Sequence, residues 1–279
     1  MRALTVAPGI ANSARVEDVP APPPEDGAVL VRTTAIGVCG TDRDIVFGHY
    51  GWAPPGQSRL VIGHESLGVV CEAPMDCGVN AGDLVVGIVR RPDPVPCPSC
   101  AVGEWDMCRN GRYTERGIKE RHGFGSEYFR IEPEFSVKVD PALGEAGVLL
   151  EPTSVVAKAW DHTERIGQRA RSWNPKTLLV TGAGPVGLLA ALMGAQRGLE
   201  VHVLDHHEHR AKRDMVSRQR RARCARQHRG ERHRLLGRRH RAGPRLRGRC
   251  WSAQPFDGAR QQHRLRNGQR QQTALRNGG

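Results

Sequence analysis

Residues 176–205, KTLLVTGAGPVGLLAALMGAQRGLEVHVLD, constrain the fold more than any other stretch of this chain. A β-rich apolar run ends in a glycine turn, an Ala- and Leu-rich segment of helical length follows, a Gly stops it, and a second apolar run ends on Asp205. That is the pattern of one βαβ unit. Gly182, Gly184 and Gly187 form G-x-G-x-x-G at the strand-to-helix turn, with Pro185 and Val186 opening the helix. The first glycine permits the tight turn, the second lets the backbone approach a pyrophosphate, and the third lets the helix pack closely, while the helix start offers unpaired N–H groups to phosphates. Asp205, 23 residues after Gly182, is placed to accept hydrogen bonds from an adenosine ribose, which favours NAD over NADP. His206, His207 and Arg210 are potential cations for a 2′-phosphate, so both cofactors stay open.

Upstream, residues 1–155 carry short alternating or apolar runs, Ala28–Thr33, Gly68–Glu72 and Asp83–Val89, broken by Pro- and Gly-rich turns such as PAPPPEDG. This texture predicts an irregular β domain, and the spacing of Val155, Val156, Ala159 and Trp160 predicts a helix leading out of it. The expected class is α/β. A β-rich domain covers 1–155, the start of a Rossmann-type parallel domain covers 156–209, and residues 210–279 break the pattern.

The break is one of composition. From Arg210 to Gly279 there are 22 Lys+Arg and 3 Asp+Glu, whereas residues 1–209 hold 20 and 26, so the net charge of +13 belongs to the end of the chain. Of those last 70 residues 21 are Arg and only 7 are Leu, Ile, Val or Phe. So little apolar surface does not offset the ~1–2 kcal/mol per residue that backbone ordering costs, and disorder is expected there. A faint helical pattern survives in AKRDMVSRQ. Without further βα units the cofactor domain is incomplete as written. Leu178–Thr181 and Val201–Leu204 are then expected to lie uncovered, and the chain to be poorly active or inactive. Arg-heavy, acid-poor text of this kind is what a shifted reading frame in a GC-rich gene gives. A basic arm for nucleic acid is the rival account, but only Trp251 and Phe256 offer stacking surface there, so nucleic acid is not the expected partner.

The opening MRALTVAPGI lacks the basic start and apolar run of a signal peptide, and no stretch reaches the ~18 apolar residues of a membrane helix. A cytoplasmic location and no membrane partner are expected. Of the 8 Cys, Cys97, Cys100 and Cys108 cluster, and in a reducing compartment clustering points to metal before disulfide.

Cys39 lies in GVCGTD, His64 and Glu65 in GHESLGVV, and Glu151 in LLEPTSVV. Taken singly, Cys39 reads as a small buried hydrophobe and His64 as a hydrogen-bonded core histidine. In this order, ahead of a glycine fingerprint, the motifs resemble the zinc-dependent medium-chain dehydrogenases over about three-quarters of the chain. The resemblance implies a GroES-like β barrel followed by a Rossmann domain. It also implies a catalytic zinc held by Cys39, His64 and Glu151, with Glu65 a further ligand or a carboxylate just behind one. Such a site keeps one position open for substrate, and the metal acts there as a Lewis acid. Thr41 would accept the substrate proton and start a relay. The family's structural zinc lobe has four Cys. Here Cys97, Cys100 and Cys108 keep the last three positions and Pro94 stands at the first, leaving Asp93 as a possible oxygen donor to a second zinc or, alternatively, a loop of free thiols.

Within the family, CGTDRDIVFGHYG, RRPDPVPCPSCAVGEWDMCRNG and YTERGIKERHGFGSEYF are most similar to archaeal-type glucose dehydrogenases. That likeness implies oxidation of the anomeric hydroxyl of an aldose, D-glucose first, to a lactone, with hydride passed to NAD or NADP. Glu115 matches the family's sugar-binding glutamate, and Glu151 would touch both metal and sugar. The plainer reading of Glu115 is an exposed loop acid paired with Arg116 or Lys119. Galactose and xylose stay open as substrates, as do threonine- or sorbitol-type relatives. Relatives form homo-oligomers, an expectation the incomplete cofactor domain weakens.

Overall fold

The structure, a computed structural model, describes residues 1–206, 210–217 and 222–226. The first elements are β1 (Arg2–Val6), β2 (Arg15–Asp18), β3 (Val29–Gly37), α1 (Gly40–Val46), β4 (Leu60–Val61), β5 (Glu65–Glu72), β6 (Leu84–Gly87) and β7 (Arg90–Arg91). There follow α2 (Pro98–Ala101), β8 (Thr114–Arg116), β9 (Glu120–Arg121), β10 (Tyr128–Ile131), β11 (Ser136–Lys138) and α3 (Leu150–Gly167). The last are β12 (Thr177–Thr181), α4 (Pro185–Gln196), β13 (Glu200–Asp205), α5 (Arg210–Ser217) and β14 (Ala222–Arg226).

A five-stranded antiparallel sheet, order β10-β3-β5-β6-β11, forms the spine of the β-rich part. Its core follows from alternation: Val29 and Val31 on β3, Val70 on β5, Val85 on β6, and Phe129 and Ile131 on β10 close on Phe124. Gly68 on β5 is obligatory, since a Cβ there would run into the Val31 side chain and the Arg32 carbonyl. Two smaller sheets, β2-β1-β4 and β7-β8-β9, flank the spine.

Helix α3 forms where the spacing predicts one, but of the four residues that marked it only Val156 and Trp160 are buried, with Pro152, along one stripe, while Val155 and Ala159 are exposed. Val156 and Trp160 join Val180, Ala183, Ala191, Leu199, Val201 and Val203 in the core of the α/β part, so one helix is rooted beside both. There β12, β13 and β14 form a parallel sheet.

Two expectations are corrected here. Ordered structure does not stop at residue 209: the pattern in AKRDMVSRQ becomes α5, and β14 pairs in parallel with β13 from Val201↔Ala222 to Asp205↔Arg226. Nor is β13 uncovered. Val201 and Val203 are fully buried, and Val216 of α5 completes the cluster. Coverage comes from several elements: α4 packs against β13, β14 pairs along its edge, and Val216 of α5 joins the same apolar cluster. On β12 the expectation survives in part, with Leu179 58% exposed and Val180 buried. Residues 227–279, where the rest of the expected disorder falls, lie outside the described residues. Among the described residues no helix is long and apolar enough to cross a membrane.

Candidate metal centre and dinucleotide turn

Each donor of the first cluster is delivered by a different backbone device. Cys39 occupies the N-cap of α1: its sulfur accepts from the Thr41 N–H at 3.3 Å, and its own N–H donates to Asp42 Oδ2 at 2.9 Å. This is a capping box with a thiol in the hydroxyl's place. His64 and Glu65 follow Gly63, whose φ of +92° swings the chain out of β4 into β5, a conformation that strains any residue bearing a Cβ. Gly37 lies opposite Glu65 in the β3–β5 ladder, and a side chain there would collide with the Glu65 carboxylate.

These devices bring donor atoms of Cys39, His64 and Glu65 within 4.8 Å of one another. Cys39 Sγ stands 3.2 Å from His64 Nε2, and His64 and Glu65 are 4% and 7% exposed. The other ring nitrogen, Nδ1, lies 3.3 Å from Oδ1 of the equally buried Asp42, a close carboxylate–imidazole pair. The imidazole is thereby oriented with Nε2 toward the cluster, the arrangement usual for a metal-binding histidine backed by a carboxylate. Sequence reasoning missed Asp42. The signal was present in C-x-x-D, since an acid three residues after a cap reaches back to it.

The electrostatics are those of an anionic pocket. Burial alone would lower the His64 pKa, but side-chain contact with Asp42, and then the charges of Asp42, Cys39 and Glu151, overcome it and raise the value to about 9. For Glu65 and Glu151 burial raises the pKa, neighbouring carboxylates add to it, and His64 opposes. Asp42 is held below the usual carboxylate range, burial being outweighed by His64 and the Cys39 amide. A thiol, an imidazole and several crowded carboxylates are the donor chemistry that suits a divalent cation of zinc's type. Glu151, in the first turn of α3, is half-buried and senses His64 and Glu65 by charge, but it stands outside the set of atoms sharing 4.8 Å. Glu65 holds that third place.

Thr41 is half-buried in the first turn of α1. Glu115 is not a loop acid. It lies on β8, its side chain 13% exposed, and its Oε1 accepts from Arg90 Nε at 3.1 Å and Nη2 at 2.7 Å, not from Arg116 or Lys119. Register sets this pairing, because Arg90 of β7 is its ladder partner. Its charge contributes to raising the Glu151 pKa.

In the second cluster the sulfurs of Cys97, Cys100 and Cys108 also fall within 4.8 Å of one another. The Arg109 N–H, donating to Cys97 Sγ at 3.4 Å, leads the backbone contacts that draw the Cys97 pKa down to about 6. Burial raises that of Cys100. Asp93 is 3% exposed, but its Oδ1 accepts from the Val95 N–H at 2.8 Å and its Oδ2 is buried without a partner, so its carboxylate is not among the clustered donors.

At the glycine turn Gly182 has φ +96°, and a Cβ on Gly187 would run into the Gly182 carbonyl, whereas the space beside Gly184 is open. Pro185 begins α4 and Val186 is 52% exposed beside it. Asp205 Oδ2 accepts from the Ala183 N–H at 3.0 Å and from Lys212 Nζ at 3.2 Å. Lys212 was not foreseen, because it reaches Asp205 only through the turn into α5. His206 is exposed, and the side chains of His207 and Arg210 lie outside the described residues.

Two family models match, the alcohol dehydrogenase GroES-like domain over residues 25–141 and the glucose dehydrogenase C-terminus over 144–219. The chain belongs to the zinc-dependent medium-chain dehydrogenases. Among that family's members, a glucose 1-dehydrogenase of Methanocella arvoryzae is 48% identical over 202 residues, 72% of this chain and 56% of the relative. One from Thermoproteus tenax is 41% identical over 202 residues with the same coverage. The glucose dehydrogenase of Haloferax mediterranei in complex with NADP, Zn and gluconolactone superposes with a TM-score of 0.71 at 33% identity, covering 81% of this chain and 63% of that one. The chain thus spans little more than half the length of these curated relatives.

Proposed function

We propose that this chain carries the metal and sugar half of an aldose dehydrogenase that oxidises the anomeric hydroxyl of D-glucose to gluconolactone, with NAD or NADP taking the hydride. The observation that carries the proposal is the convergence of Cys39, His64 and Glu65 in a buried, carboxylate-rich pocket with Asp42 behind the imidazole. Zinc in that pocket would polarise the substrate hydroxyl as a Lewis acid. Cys39, His64 and Glu65 would hold it, leaving Glu151 to face the open position and the sugar. Thr41 would take the hydroxyl proton onto its own oxygen and pass it outward. Glu115, its carboxylate fixed by the Arg90 fork, would accept a hydrogen bond from a sugar hydroxyl. Similarity to relatives named for glucose and for NADP, Zn and gluconolactone supports these assignments.

At the glycine turn the pyrophosphate would approach Gly184, with Asp205 and Lys212 beside the ribose. The three-Cys lobe would take a second, structural zinc with a fourth donor from outside its sulfurs. We also propose that the gene reads in a different frame beyond about residue 219, where the family match ends. Gene sequencing tests this, and it fails if no alternative frame encodes further βα units. The function itself is tested by measuring zinc content and aldose oxidation with both cofactors, on this chain and on a frame-restored one. A restored enzyme that binds zinc yet oxidises no aldose would refute the sugar assignment.

A further inference from the structure

Away from the metal pocket, the barrel buries more positive than negative charge. Glu132 is the hub: its carboxylate receives Arg91 Nη2 at 2.8 Å and Arg121 Nη2 at 2.7 Å, with Arg116 Nη2 at 3.8 Å. Three guanidinium groups therefore share one carboxylate, and Arg91 and Arg116 are only 5% and 2% exposed. Arginines so deeply buried ordinarily come with a matching anion each. Arg116 turns Nη1 to the His122 carbonyl and Nη2 to those of Asp26 and Arg130, contacts that cancel no charge and leave Nε without a partner. Burial, then the repulsion of Arg121 and Arg91, pulls its pKa down to about 9.

A cavity of about 640 Å³ opens against this network, walled on one side by the stiff segment Pro20–Pro23. Arg116, Arg121 and Arg130 line it, whereas Glu132 and Arg91 do not, so the cavity meets the cationic flank of the network with the carboxylate behind. The Nε atoms of these same three arginines are buried without partners. Acids are present in the wall, but Glu17 is bound to Arg59 at 2.7 Å and Glu25 is exposed, leaving Asp26 as the half-buried carboxylate that an incoming anion would meet.

We propose that this cavity is a binding site for a phosphate-class oxyanion, held by the guanidinium groups of Arg116, Arg121 and Arg130. Planar forks of N–H donors suit a tetrahedral oxyanion, and an anion there would offset the positive charge that the single carboxylate of Glu132 leaves uncancelled among Arg91, Arg116 and Arg121, while Arg130 also turns Nη2 to the exposed Glu72 at 3.2 Å. The site is independent of the dehydrogenase reading. Its test uses the full chain and a local reporter, because the Arg-rich residues 210–279 will also attract phosphate. His122 lines the cavity and supplies that reporter through its ring NMR resonances. Inorganic phosphate should move them saturably at constant ionic strength while chloride does not, and Arg121→Gln, at a side chain 25% exposed, should weaken binding about tenfold, the loss of one charge-assisted hydrogen bond. Arg130→Gln provides a second variant with the same expected direction should Arg121→Gln fold poorly. Equal saturation by glucose 6-phosphate and phosphate would identify free phosphate as the ligand; tighter binding of the sugar phosphate would identify a phosphorylated sugar. An identical response to chloride, or unchanged phosphate affinity in a folded arginine variant, would overturn the proposal.

Discussion

Among the described residues, the two clusters of possible metal donors are built on opposite plans. Around Cys39, His64 and Glu65 the frame is the barrel itself: an N-cap, a left-handed glycine and a ladder position, each fixed by strands or by a helix end. Around Cys97, Cys100 and Cys108 the frame is a loop with two short helical turns, tied to α3 by the exposed pairs Lys158–Asp106 at 3.4 Å and Arg165–Glu104 at 3.9 Å, each worth ~1 kcal/mol or less. The first mixes sulfur, nitrogen and oxygen and gathers uncancelled carboxylate charge; the second is all sulfur and held by backbone N–H groups. Mixed, crowded donors backed by a rigid sheet are what an exchangeable, substrate-facing cation needs, whereas three like thiols on a loop suit a closed structural site.

The contrast makes its largest claim at Cys39 and His64. Replacing either by Ala should cost on the order of 10³-fold in zinc affinity at the first cluster, as metal titration with calorimetry would show. Full retention of zinc there would end the idea that this cluster is the metal centre. Proton competition comes next. His64 must shed a proton to donate Nε2, and its pKa is raised to about 9, so affinity should rise with pH up to that value and fall by about tenfold per unit below it from this group alone. A pH-independent affinity between 6 and 8 would show that the imidazole is not a ligand. Asp42→Asn removes the charge behind the ring while keeping an oxygen for the cap, and should weaken zinc about 10- to 100-fold with the fold intact by circular dichroism.

At the lobe the expectation is different in kind. Cys100→Ser should remove one zinc per chain and lower the thermal midpoint by a few degrees, about 1 kcal/mol, without altering zinc affinity at the other cluster. Coupled losses at both clusters would dissolve the distinction between them. The last test concerns neither cluster. Burial opposes ionisation of Glu132, but its arginines hold its pKa at about 2, so its contribution to stability is present above its ordinary pKa, near 4.5, and is lost as pH falls toward 2. Glu132→Gln should therefore flatten acid unfolding in that window, followed by urea titrations at several pH values.

Much of this was legible in the linear chain. The glycine fingerprint announced its turn, because Gly182 and Gly187 are required by a left-handed φ and a carbonyl contact that depend on local geometry alone. The metal motifs were legible through their order and resemblance. What remained hidden were the pairings between distant residues that no motif marks. Arg90 reaches Glu115 only through ladder register, and Val216 of α5 joins Val201 and Val203 in one apolar cluster only through the tertiary fold.

The amino-acid order by itself determined the βαβ unit with its glycine turn, the donor types and the break in composition, since these rest on spacing, on propensity and on the chemistry of single side chains. Tertiary structure alone decided which carboxylate joins Cys39 and His64, that Glu65 stands in the cluster while Glu151 waits outside it, and that three arginines crowd one glutamate. The reason is physical: charge and coordination act through space over a few ångströms, and the backbone separations that set those distances, from Cys39 to His64 or from Arg91 to Glu132, are closed only by the sheet.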